Sequence, residues 1–320
     1  MRNKHHLIQP SRSHHGYVLV MALVLIAMAA SVLAIMAKRS VFDASDVLHA
    51  QAQFKEHWAA YSLSKSLLPQ AREVMALILE KETLLESTPD QQPISVVHFE
   101  VQLGGLTYQL ALADEQAKAN VNQLLKNKGN SSDTAQAIRN LMNRTQIADI
   151  PVIELKPYTW KENPNIAKLH TLGQIFKNVT PSKLCSTDSE EKEALDVLTC
   201  WGDGKLNFHT APPEVMLAVC NPTLGRGQID KLIAARQRNP KISLDAALTA
   251  AGIAKDHLAK IKKMFTDEST CYSLWVHRQT QRQTHHWLTI AQQQKSLKNQ
   301  PESSPESQQS GKIFTTVFEW

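Results

Sequence analysis

Between Tyr17 and Ala37 the chain runs 21 residues without a charged side chain, in a sequence of which 20% is charged. As an α-helix this stretch is about 31 Å long, close to the hydrocarbon thickness of a bilayer. A helix apolar on every side has no polar face to turn toward water, so the segment reads as a single membrane span. The basic flank Arg2, Lys4 and Arg12, with no acid before Asp43, holds the N-terminus in the cytoplasm and places the body outside. Lys38 and Arg39 on the far side reduce that asymmetry.

The body behind this rod has ordinary globular composition. With 320 residues and 42% hydrophobic content it can bury a core as one large domain or two smaller ones. The formal charge of +5 owes three basic residues to the leader, and the remainder is nearly balanced against 30 acids, so it is not a broadly basic nucleic-acid surface. Enzyme signatures such as G-x-S-x-G, G-x-x-x-x-G-K-[ST] and H-E-x-x-H are absent, and no enzymatic role is expected. "WGDGK", Trp201 to Lys205, has too few residues between its glycines for a P-loop and reads as a turn.

Cys185, Cys200, Cys220 and Cys271 lack C-x-x-C spacing, which removes support for a zinc or thioredoxin-like site. Beyond a membrane, an even number of cysteines suggests disulfides. Of three pairings, Cys185 with Cys200 and Cys220 with Cys271 is favoured, and buried reduced thiols are the alternative.

Past the span the helix is expected to continue, because Val47, Phe54, Trp58, Tyr61 and Leu68 recur near one face and read as a core stripe. Pro69 kinks or ends it, and Glu73 to Leu85 reads as another helix. From Ile94, alternating Val97, Phe99, Val101 and Leu103 meet Gly104-Gly105, then Leu106, Tyr108, Leu110 and Leu112 alternate in turn, as in a hairpin. "CYSLWVHRQ" from Cys271, "THHWLTIAQ" from Thr284 and "KIFTTVFEW" from Lys312 predict three further strands. A Gln/Ser/Pro-rich stretch, 292–311, separates the last two and reads as a flexible loop.

Between the two groups of strands the pattern is mainly helical. In "GKLNFHTAPPEVMLAV", Gly204 to Val219, Thr210 is expected to cap a helix that Pro212 and Pro213 begin, with Val215, Met216 and Val219 facing inward. A second helix runs through Ile229, Leu232, Ile233 and Arg236, and Ser243 opens a third that Gly252 stops. Strands, then helices, then strands predict an α+β fold: an antiparallel sheet packed by the long helix, with a helical domain of SAM-like or helix-hairpin-helix type inserted.

Three readings fit the apolar segment. A cleaved secretory signal would be shorter, and Ile35 with Ala37 make a poor A-x-A site. A plain signal anchor fits the length. The third reading turns on Gly16, which sits at the sharp boundary between a polar basic leader and the apolar stretch. That boundary resembles the processing site of the type IV pilin and pseudopilin family, cut after glycine by a prepilin peptidase and N-methylated on the next residue, here Tyr17. The family's fifth mature residue is normally glutamate; here it is Met21. Its absence, together with the acidic, Asn-rich "LADEQAKANVNQLL" (Leu112 to Leu125) and "LNFHTAPPEV", resembles the K-type minor pseudopilins of type II secretion systems. His209 replaces the usual second asparagine of the latter motif.

The resemblance implies a leader at 1–16, a transmembrane helix at 17–37, a pilin-like helix and first strands at 38–122, an inserted helical domain at 123–269, and closing strands at 270–320. It implies an inner-membrane, single-pass protein with a periplasmic body, at the tip of the secretion pseudopilus, where it initiates and caps the filament. The implied partners are the I and J minor pseudopilins, the major pseudopilin filament and the prepilin peptidase. No cofactor is expected. Calcium binds some K-type relatives, and Asp188, Glu190, Glu191 and Glu193 offer oxygens, but without EF-hand spacing an exposed acidic loop is preferred and calcium stays unassigned.

The alternative from another class is a membrane-anchored helix-hairpin-helix module that binds nucleic acid through Gly225, Arg226 and Gly227, with Lys231, Arg236 and Arg238 nearby. A location outside the cytoplasm and the balanced charge of the body argue against it, so no nucleic acid is expected. The histidine pairs His5-His6, His14-His15 and His285-His286 are read as structural or solvated. The first two leave with the leader, and strand neighbours point to opposite faces, so His285 and His286 do not easily share one metal ion.

Overall fold

A computed structural model describes residues 15–85, 94–128, 131–147, 169–176, 179–180, 183–185, 192–221, 223–279, 284–293 and 313–319. The leader before His15, Asp188, Glu190, Glu191 and most of the Gln/Ser/Pro-rich stretch lie outside the described residues. The chain divides into two compact units, Met1–Ala59 and Ala60–Trp320.

Helix α1 spans His15–Leu67, and its N-terminal part is apolar and long enough to cross a membrane. None of the most apolar stretch is covered by protein. Pro69 lies in a single 3-10 turn, Leu68–Gln70, and α2 follows as Ala71–Leu85. The ring cannot donate to the preceding turn, so the helix tightens and restarts there.

The second unit is built on an antiparallel five-stranded sheet in the order β1-β2-β7-β8-β9. Its strands are β1 (Val96–Leu103), β2 (Leu106–Asp114), β7 (Cys271–Gln279), β8 (Thr284–Gln293) and β9 (Ile313–Glu319). Gly104 and Gly105, at φ 61° and 78°, form the two-residue turn between β1 and β2, a conformation that L side chains resist. The chain leaves the sheet at Asp114 and returns at Cys271 beside the strand it left, since β2 and β7 pair from Gln109↔His277 to Asp114↔Tyr272.

Between these points run α3 (Val121–Lys128), α4 (Ser131–Arg144), α5 (Ala194–Val197), α6 (Pro213–Cys220), α7 (Arg226–Arg238), α8 (Leu244–Ala250) and α9 (Lys255–Lys262). Two short parallel pairings stitch them together: β3 (Ala119–Asn120) with β4 (Leu198–Thr199), and β5 (Leu206–Asn207) with β6 (Phe265–Thr266). Ser243 caps α8 by accepting from the Ala246 amide, and Gly252 ends that segment at φ 71°.

Alternation along the strands gives the sheet two covered faces. Ala111, Trp275, Leu288 and Ile290 join one continuous core with Ile138, Leu141, Phe176, Leu195 and Met216 of the helical region. Leu112, Leu274 and Thr289 point the other way, where Ser64 of α1 meets Thr289 Oγ1 at 2.9 Å. Within the second unit, the buried residues of α1, the 3-10 turn and α2 include Ala60, Ser64, Leu68, Ala71 and Met75.

This corrects the expected core stripe. Val47, Phe54, Trp58 and Tyr61 are 44% to 64% exposed, and of that set only Leu68 is buried. The sheet face already carries Tyr108, Leu112, Leu274 and Trp287, so the helix approaches with alanine and serine, and bulky side chains at those positions would hold it off.

Candidate functional site

In the first unit, Gly16 lies one residue inside the start of α1, followed by Tyr17 and, four residues further, Met21. Tyr17 and Met21 are 68% and 52% exposed, on a helix whose apolar side chains all point outward here. Such a surface is at equilibrium in hydrocarbon or against other apolar helices, and not in water.

The second unit holds its most concentrated polar chemistry where the chain departs from and returns to the sheet. Asp114 ends β2, and its Oδ1 accepts from the Gln116 amide at 2.9 Å. Its Oδ2 accepts from Thr210 Oγ1 at 2.6 Å, Ser269 Oγ at 2.6 Å and Asn207 Nδ2 at 3.0 Å. Burial raises the Asp114 pKa, and the hydrogen bonds from Ser269, Thr210, the Gln116 amide and Asn207 pull the other way. Thr210 therefore serves the carboxylate and does not cap α6 as expected. Pro212 occupies the cap position, and no side chain caps it.

One residue on, Glu115 receives Lys118 Nζ at 2.6 Å and Ser273 Oγ at 2.6 Å on Oε1, and Thr199 Oγ1 on Oε2. Gln116 extends the network by donating to Asp203 Oδ1 and accepting from the Thr270 amide, both at 2.6 Å. Asn120 donates to the Trp201 carbonyl, and Asn122 donates to the carbonyls of Leu169 and Cys200 while accepting from the Leu169 amide. The acidic, Asn-rich motif thus ties β2, the loop at 199–203, β5 and the start of β7 into one buried polar knot. Each side-chain oxygen of Asp114, Glu115 and Gln116 accepts at least one hydrogen bond from a donor on a neighbouring element or turn, so the knot fixes the local geometry.

The four cysteines are buried, with no S–S bond among them in this structure. Burial raises the Cys220 thiol to about 12. Cys200 and Cys271 are raised by burial first and by the Glu115 charge second, and Cys185 by burial and then by Asp196. Thiols held this way are poor nucleophiles and poor metal ligands.

Of the basic residues near the α6–α7 connection, Arg226, Lys231 and Arg238 are exposed. Arg236 is not available to a phosphate. It is buried, and its Nη1 donates to the carbonyls of Phe208 at 2.7 Å and Ala211 at 2.8 Å, while desolvation lowers its pKa to about 10. Among the described residues no group of three or more His, Cys, Asp or Glu side chains is placed to hold a metal ion. His285 stacks on Trp287, whereas His286 lies on the other face opposite His277.

Sequence reasoning missed the Glu115–Lys118 pair, although its i, i+3 spacing is visible in "DEQAK", because nothing in the sequence shows that the pair is buried. No family model matches the chain, and no curated protein matches it.

Proposed function

We propose that this chain is a K-type minor pseudopilin that initiates and caps the pseudopilus of a type II secretion system. The observation that carries the reading is the uncharged Tyr17–Ala37 stretch behind Gly16, with Met21 where the resembling family places glutamate. An unpaired carboxylate in the membrane costs at least ~2 to 3 kcal/mol, and in a filament the terminal amine of the subunit ahead relieves it. A leading subunit has no amine ahead of it, so an uncharged methionine suits that place.

The helix-on-sheet second unit supports the same reading, since a long helix ending on an antiparallel sheet is the pilin arrangement that the resemblance implies. The helical region between β2 and β7 would then be the bulky cap that prevents addition above. In this account the body is periplasmic, the I and J minor pseudopilins pack along α1, and the prepilin peptidase cuts after Gly16 and methylates Tyr17.

Mass spectrometry of the protein from membranes of a secreting host tests this directly. The expected mature N-terminus is N-methyl-Tyr17, and co-purification with other pseudopilins is expected from the parent and reduced at least tenfold in Met21→Glu. An intact leader, or an unchanged yield of the complex from Met21→Glu, overturns the reading.

A further inference from the structure

Sequence neighbours His285 and His286 diverge, but the register of the β7–β8 hairpin sets His286 directly opposite His277. Their Nδ1 atoms are 3.2 Å apart and their rings 4.6 Å between centroids. We propose that His277 and His286 form a binding site for a divalent transition-metal ion, with the two Nδ1 atoms as cis ligands and water in the remaining positions.

The separation has the right size. Two metal–nitrogen bonds of about 2.0–2.1 Å span roughly 2.9 Å at a right angle and roughly 3.4 Å at the tetrahedral angle. Both histidines are buried, and burial lowers the pKa of each, so both are neutral at pH 7 and keep a lone pair for a metal. Neutral imidazole nitrogens suit zinc, copper or nickel better than calcium or magnesium, which take oxygen ligands.

The surroundings supply access and rigidity. On the same face of the sheet the row continues from His277 to Gln109 and Glu100, both exposed, while the next row toward the hairpin end, Gln279 and Thr284, is also exposed. The row on the inner side carries His98, Ala111, Trp275 and Leu288, with the Trp275 ring against His286. The pair thus lies one row in from solvent, walled on one side by a tryptophan. His98 and Glu100 share the face of the pair, and His285, on the opposite face of β8, adds a charge effect on His286. A bound ion would clamp β7 to β8 near the end where Gln279 pairs with Thr284 and stabilise the folded chain by mass action.

The test uses the full-length chain in detergent, carrying His5→Asn, His6→Asn, His14→Asn and His15→Asn so that the leader cannot compete. Equilibrium dialysis against Zn²⁺ at pH 7.5 is expected to give one ion per chain and a thermal midpoint raised by several degrees. Affinity is expected to fall at least tenfold in His277→Gln and in His286→Gln, and to hold in His285→Gln. If either of the first two variants fails to fold, the Cu²⁺ electron paramagnetic resonance spectrum of the parent decides, with coupling to two imidazole nitrogens expected. Undiminished Zn²⁺ binding in the folded variants, or a Cu²⁺ spectrum without two nitrogen ligands, overturns the site and leaves His277 and His286 as a hydrogen-bonded pair only.

Discussion

Lys118 Nζ donates to Glu115 Oε1 across 2.6 Å, with the two side chains 2% and 0% exposed. An ion pair this deep is matched by its hydrogen bonds, because Ser273 and Thr199 occupy the remaining positions on the carboxylate. Its net worth against an apolar pair of equal volume is small, yet either partner left alone is a stranded charge.

Lys118→Met is therefore expected to destabilise the chain by about 3 to 5 kcal/mol, read as a lowered urea midpoint of tryptophan fluorescence for the protein in detergent. Glu115→Met should cost as much, and the double variant should cost less than either. Additive losses would show that the two charges act independently.

Ser64 and the aromatic side chains of α1 make opposite predictions about which side of the helix meets the sheet. Ser64→Leu is expected to cost roughly 1 to 3 kcal/mol by overpacking against Thr289 and its neighbours. Phe54→Ala, at a residue 64% exposed, should change stability by no more than about 0.5 kcal/mol. The same urea midpoints separate the two faces, and a reversed order would restore the aromatic stripe as core.

Arg236 holds two carbonyls that begin the turn into α6. Arg236→Ala leaves the Phe208 and Ala211 oxygens without their donor and should destabilise by roughly 2 to 3 kcal/mol. Arg226→Ala, on the exposed side of the same helix, should stay within about 0.5 kcal/mol of the parent. Equal effects from the two would remove the structural role assigned to Arg236.

His286 predicts an acid limb in stability. Its pKa is lowered from 6.5 to about 4 by burial first, then by His277 and His285. A base that is harder to protonate when folded adds stability above pH 6.5, and that stability is lost as pH falls through about 4. Asp114 and Asp196, both raised by burial, act with the opposite sign, since their protonation on acidification relieves a cost. In chelator, urea midpoints between pH 7.5 and 4 should fall less steeply for His286→Gln than for the parent. Parallel curves would refute the assignment.

Much of the local structure was legible in the residues. Period-two alternation around Gly104-Gly105 located the first hairpin, because it lines one face of the ribbon with apolar side chains from Val97 to Leu112 and glycine readily adopts both turn positions. Pro69 marked the break in the long helix, and Ser243 the start of α8. Thr210 was misjudged for a definite reason: a hydroxyl near a helix start has several nearby partners, and a buried carboxylate 96 residues earlier in the chain outcompeted the local amides. The aromatic stripe on α1 failed likewise, since periodicity tells which residues share a face but not whether the partner surface leaves room for them.

The sequence by itself determined what depends on neighbours within a few positions: an uncharged rod of membrane length, the strands and their turn, the helix stops, and the absence of charge at Met21. Only the tertiary structure decided that Ser64 meets the sheet at Thr289, that Asp114 and Glu115 anchor a buried knot, that Arg236 points inward, and that His277 faces His286. Each of these joins elements far apart in the chain or sets the angle between packed surfaces. Such pairings are selected by the summed burial and hydrogen bonding of the whole unit, and no short window of residues contains that sum.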